Sequence, residues 1–123
     1  RGPFSTHNGP FFHKATEDGF AQGFRVLPRH CNSRGIVHGG MLMTFADGLL
    51  ATAVWRATGK VGLTVRMNSD FLSIARPGEW VEGTAEVTRA GRSLVFAEAR
   101  VNAGTRLVLT ASGVFKVMER HKA

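Results

Sequence analysis

A chain of 123 residues with a formal charge of +7 and one cysteine is long enough for a single packed domain that buries roughly two-thirds of its unfolded surface. One cysteine excludes an intramolecular disulfide and fits a reducing, cytoplasmic setting; the opening RGPFSTHNGPFFHK holds no apolar core of secretory-signal length. The charge favours anionic partners, but Arg66, Arg76, Arg89, Arg92, Arg100 and Arg106 stand singly, without the clustering or aromatic interleaving of a nucleic-acid surface.

The chain does not begin with Met and is expected to be a fragment or a trimmed form. Its first 18 or so residues are expected to be irregular, with at most a short helix. FAQGFRVL (20–27) reads as a strand and PRHCNSRG as a turn-rich loop. Residues 39 to about 57 read as a helix, with Thr58-Gly59 as its stop. This helix is apolar nearly all round, so burial on most sides is expected. Asp47 and several glycines within 36–55 mark a core helix rather than a membrane span.

The second half alternates. LTVRMNSDFL (63–72) sets Leu63, Val65, Met67 and Phe71 on one face and Thr64, Arg66, Asn68 and Asp70 on the other. ARPGE (75–79) is a turn. WVEGTAEVTR (80–89) sets Val81, Ala85 and Val87 against Glu82, Thr84, Glu86 and Thr88. AGR (90–92) is a short hairpin connection with a suitable glycine. SLVFAEARVNA (93–103) aligns Val95, Ala97, Ala99 and Val101; GTR turns the chain, and LVLTASGVFKVM (107–118) is the last strand. Consecutive strands on short loops imply an antiparallel meander. The expectation is an α+β fold, a five-stranded antiparallel sheet against one long helix. Since the helix is more apolar than one sheet can cover, the sheet should curl round it and a second subunit should cover the rest.

Chemistry concentrates in RGIVHGGMLMTFADGLLATAVW (34–55). His-Gly-Gly falls where loop becomes helix. The first N–H groups of a helix lack intrahelical partners and lie at the positive end of its dipole. Gly39 and Gly40 therefore read either as a tight loop-to-helix passage or as donors to an oxygen that gains negative charge. Asp47, the one carboxylate in an apolar run, reads either as a buried polar anchor or as a general base or nucleophile. His38 reads as a structural hydrogen-bonder or a catalyst. Neither metal-ligand spacing nor a paired cysteine motif is present, and no nucleophile-elbow or phosphate-loop pattern occurs.

NSRGIVHGGMLMTFAD (32–47) resembles the N-x-x-G-x-x-H-G-G-x-x-x-x-x-x-D signature of hotdog-fold acyl-CoA thioesterases of the phenylacetate-pathway (PaaI-like) group. The resemblance runs from about residue 20 to 118, with VGLTVRMNSDFLSIARPGE and AEVTRAGRSLVFAEARV matching later strands. It implies a curved antiparallel sheet wrapped round one central helix, dimers joined through sheet edges, and often dimers of dimers. It implies Asp47 as general base or nucleophile, the Gly39 and Gly40 backbone as oxyanion hole, Asn32 orienting the reacting groups, His38 shaping the loop, and Thr64 positioning the attacking water. The site is then shared, with Asn32 and Gly39 of one chain facing Asp47 and Thr64 of the other. Coenzyme A arrives as part of the substrate, so no separate cofactor or metal is expected. Arg89 and Arg92 are candidates for its phosphates, with solvated loop charge as the alternative. Phe71, Phe45, Trp55 and Met43 are candidates for the acyl pocket, and core packing explains them equally. Two rivals remain: a hotdog hydratase or dehydratase, whose H-F-P and D-x-x-x-x-H patterns are missing here, and a non-catalytic acyl-CoA-binding protein on the same fold. No nucleic-acid or membrane partner is expected.

Overall fold

The structure, a computed structural model, describes residues 2–118. A short helix α1 (Pro3–Asn8) leads into strands β1 (Phe12–Ala15) and β2 (Phe20–Arg25) and a single 3-10 turn at Pro28–His30. The long helix α2 (Gly39–Thr58) follows, then strands β3 (Gly62–Phe71), β4 (Trp80–Ala90), β5 (Leu94–Ala103) and β6 (Arg106–Val117). The strands form one antiparallel sheet in the order β1-β2-β4-β5-β6-β3. Helix α2 lies across one face of it, the arrangement that the resemblance implies.

Helix α2 begins and ends where its sequence says it should. The His38 ring caps its first turn, and Gly59 stops it in a left-handed conformation (φ 71°), its N–H returning to the Trp55 carbonyl. Met41, Leu42, Phe45, Ala46, Leu49, Leu50, Ala53 and Val54 are buried against Val81, Val95, Ala97, Ala99, Val101, Leu109 and Phe115 of the sheet. Two glycines let the helix come close. A Cβ on Gly83 would fall 2.4 Å from Leu49 Cδ1, and one on Gly113 would fall 3.0 Å from Leu50 Cδ1. No helix of the described residues is long and apolar enough to cross a membrane.

Two expectations are corrected. The sheet has six strands, not five. The extra one, β1, lies in the segment expected to be irregular and pairs Phe12 through Ala15 with Gly23 through Phe20. All four of its residues are exposed, so it has no burial period for a sequence to display. The second correction concerns the faces of β3. A bulge between Thr64 and Arg66 breaks the alternation. Thr64 pairs with Phe115 and so shares the helix-side face with Met67, Ser69 and Phe71, which pair with Gly113, Ala111 and Leu109. Leu63 joins Arg66, Asn68 and Asp70 on the far face, and Leu63, Val65 and Phe71 are all exposed. A bulge adds one residue to one strand and reverses the side chains beyond it.

Candidate active site

Asp47 stands two turns into α2, half-buried on the flank that faces β3. The Thr64 hydroxyl, turned toward the helix by the bulge, donates to Asp47 Oδ1 at 2.7 Å. Asp47 thus receives one hydrogen bond as a carboxylate, and its Oδ2 has no partner among the described residues. Alternation alone would have aimed Thr64 at the opposite side of the sheet.

The loop before α2 is built by its own polar groups. Asn32 Oδ1 accepts from the backbone N–H groups of Arg34 (2.9 Å) and Ile36 (3.4 Å), closing a turn in which Gly35 takes φ 75°. Val37 N–H donates to Ala75 O and His38 N–H to His30 O. Asn32 therefore shapes the loop through Oδ1, while its amide Nδ2 has no partner among the described residues.

His38 and the two glycines take distinct roles. His38 Nδ1 accepts from Gly40 N–H at 2.8 Å, so the His38 ring is a helix cap and the Gly40 donor is occupied. Gly39 N–H is left without a partner among the described residues. Of the two backbone donors expected at the helix start, Gly40 N–H is therefore engaged by the cap and only Gly39 N–H stays open. The Phe71 ring lies 3.6 Å from where a side chain at Gly39 would begin, beside the helix start. Ser69, passed over in the sequence, lies on the same row of β3 between Met67 and Phe71, and its buried Oγ has no partner among the described residues. Its signal was a small hydroxyl between Met67 and Phe71 on the alternating apolar row of that strand. Arg89 and Arg92 flank the β4–β5 connection, exposed and without partners among the described residues. Elsewhere, the Arg106 guanidinium beside Glu79 (2.8 Å), helped by the Arg76 backbone N–H, holds the Glu79 carboxyl below its usual 4.5. The same guanidinium reaches the Ile74 carbonyl and braces the turn that meets Val37.

One antiparallel sheet packed against one long helix, in the strand order given above, is the fold of a hotdog thioesterase. The sequence pattern of the thioesterase superfamily matches residues 34–110, more than half of the chain. The chain belongs to the thioesterase superfamily, a class of hydrolases. It is 41% identical over 110 residues to the Pseudomonas aeruginosa protein PA0474, whose name assigns it provisionally to the esterases; the match covers 87% of this chain and 82% of that one. It is 32% identical over 90 residues to acyl-coenzyme A thioesterase 13 of Mus musculus, covering 72% and 64% of the two. Among solved structures, a phenylacetic acid degradation-related protein of Ralstonia eutropha JMP134 superposes with a TM-score of 0.83 at 25% identity, over 95% of this chain and 92% of that one.

Proposed function

We propose that this chain is an acyl-CoA thioesterase that hydrolyses a small or medium acyl- or aryl-CoA to the free acid and coenzyme A, with no cofactor of its own. The observation that carries the reading is the Thr64–Asp47 hydrogen bond. It orients a half-buried carboxylate and leaves its second oxygen open. Asp47 acts on the thioester carbonyl carbon, either by direct attack or by taking a proton from an attacking water that Thr64 positions. Direct attack breaks the C–S bond and leaves a mixed anhydride on Asp47, which a water then hydrolyses to the free acid and the restored carboxylate. In the other route water adds to the carbonyl carbon, Asp47 takes its proton, and the C–S bond breaks as the tetrahedral adduct collapses. In both routes the coenzyme A thiolate leaves and takes up a proton from Asp47 or solvent. Gly39 N–H at the helix start receives the charge that builds on the carbonyl oxygen, a contribution of about 3–4 kcal/mol per donor.

A site shared between two chains, which the resemblance implies, is supported by the helix geometry. Gly39 and Asp47 are eight residues apart on one helix, on the order of 12 Å along its axis at 1.5 Å per residue. One carbonyl group cannot touch both. Strand β3 is an open edge of the sheet that exposes Val65 and Phe71, and open edges call for a partner. Antiparallel pairing of two β3 edges brings the Gly39–Phe71 end of one protomer beside the Asp47–Thr64 end of the other. Asn32 then orients the reacting groups from the Gly39 side through its free amide, His38 holds the helix start, and Phe71 borders the acyl group. Arg89 and Arg92 receive the coenzyme A phosphates.

The test is a panel of acyl- and aryl-CoA thioesters with the released thiol measured directly. Turnover of at least one member with saturation supports the reading. Tight binding of the panel with no thiol release would make the chain an acyl-CoA-binding protein instead.

A further inference from the structure

Among the described residues the one buried polar residue is His30, 3% exposed, and the chemistry above does not use it. A buried polar group is costly unless its hydrogen bonds are made. All four of its hydrogen-bonding groups are engaged, and they join separate segments. Ring Nδ1 accepts from Leu27 N–H at 3.0 Å, so the imidazole is neutral and carries its proton on Nε2. That Nε2–H donates to the Asn8 carbonyl at the end of α1, at 2.7 Å. The backbone N–H of His30 donates to Leu27 O, and its carbonyl accepts His38 N–H at 2.9 Å. The neighbouring Arg29 guanidinium reaches the next carbonyl of the same arm, that of Gly9. Beyond it, Phe11 packs on Phe24 and Phe45 of the core, and the His30 ring stands edge-on to Phe24 at 5.3 Å.

The chain of contacts runs from the N-terminal arm to the residue that precedes the open donor. Asn8 is held by the His30 ring, the His30 carbonyl holds His38, and Gly39 is next in sequence. We infer that His30 is a positioning residue for the oxyanion donor, fixing the Gly39 N–H by tying the loop that carries it to the N-terminal arm. The inference rests on the thioesterase reading and on Gly39 as the donor. An N–H that stabilises a transition state acts only within a narrow window of position, and misplacement by about 1 Å costs up to about 100-fold in rate.

The experiment is steady-state hydrolysis by the full chain of an acyl-CoA that the wild type turns over, with a melting curve on each preparation. In His30→Asn the amide oxygen replaces Nδ1 as acceptor for Leu27 N–H, and the bond to Asn8 is lost. In His30→Gln the amide nitrogen replaces Nε2 as donor to Asn8. The expected result is a kcat about 10- to 100-fold lower in His30→Asn with KM changed less than about threefold, since the donor acts in the transition state. His30→Gln should recover most of that loss. Arg29→Met, at an exposed position that folding tolerates, should lower kcat by several-fold through the second strap. Wild-type kcat in folded His30→Asn, or no recovery in His30→Gln, overturns the inference: a merely structural histidine lowers the melting point and leaves kcat per folded molecule alone. If the His30 variants do not fold, unchanged kcat in Arg29→Met overturns it. A wild type that binds thioesters without turnover defeats the parent reading and this one together; an active wild type with unaltered variants defeats this one alone.

Discussion

Asp47 is the only acidic side chain on α2, and one hydrogen bond holds it. Asp47→Asn keeps that shape, including an oxygen for the Thr64 hydroxyl, and removes the base. Folding should survive while kcat falls about 10²- to 10⁴-fold, with little change in KM. Thermal melting and thiol release on one preparation separate this from the alternative: a lowered melting point with near wild-type kcat would make Asp47 an anchor. Glu79 has the opposite character, charge without chemistry. Its carboxyl is held below 4.5 by Arg106, so the folded state favours the ionised form. The resulting stability is complete above the unfolded value and is lost as pH falls through the lower folded one. Both partners are substantially exposed, so the contribution is below about 1 kcal/mol. Melts of wild type and Glu79→Gln should differ slightly at pH 7 and converge near pH 3; a gap that persists in acid would mean that the side chain acts through packing.

Elements differed in how plainly the sequence announced them. Helix α2 was legible because twenty residues of high apolar content sit between a capping histidine and a glycine stop, each acting locally. Strands β4 and β5 were legible because one face of each is the more buried and so alternates; β6 was legible as an apolar run after a glycine turn, with buried residues on both faces. Strand β1 was not, because four exposed residues at a sheet margin carry no period. The bulge in β3 was not, because an inserted residue is settled by the partner strand and the helix above it, and nothing in LTVR marks it. The acid at 47 was therefore readable as one charge in an apolar run, whereas its hydroxyl partner rested on resemblance and was, by alternation, on the wrong face. The Gly39–Gly40 pair was divided by a cap that residue types alone do not reveal. That cap gives a prediction at this scale. His38→Ala should lose about 1 kcal/mol of stability, the usual worth of an N-cap, and free the Gly40 N–H. As the backbone N–H of residue 38 still meets His30, kcat should stay within about tenfold of wild type, short of the loss typical for a general acid or base. A larger loss in the same thiol assay would return His38 to catalysis.

For the whole molecule, the decisive question is what covers β3. Val65 and Leu63 are each more than half exposed on this unpaired edge, and on the proposed mechanism the separation of Gly39 from Asp47 along the helix gives a single protomer two half-sites. Val65→Lys adds charge to the margin without touching the core. It should convert a dimer to monomers by light scattering at micromolar concentration, and thiol release should fall with the dimer fraction while the melting transition persists. Full activity in a monomeric variant would mean that each protomer holds a complete site.

Gly83 has a consequence for the precision of that site. It sets the standoff between helix and sheet: an added methyl meets Leu49 Cδ1 at 2.4 Å, with the Arg100 carbonyl at 3.1 Å and the Phe45 ring at 3.2 Å closing the ways out. Leu49 rides two residues beyond Asp47, and Thr64 belongs to the opposite wall. In Gly83→Ala the helix should rise by a few tenths of an ångström, as overpacked cores usually shift rather than compress. The 2.7 Å span between hydroxyl and carboxylate then widens although neither group has changed. The variant should show a lower kcat with an intact fold by circular dichroism, whereas an unaltered kcat would mean that Leu49 swings aside and absorbs the methyl. The clearance between Thr64 and Asp47 is thus gauged from beneath the helix, by a hydrogen atom in a place where every other residue is too thick.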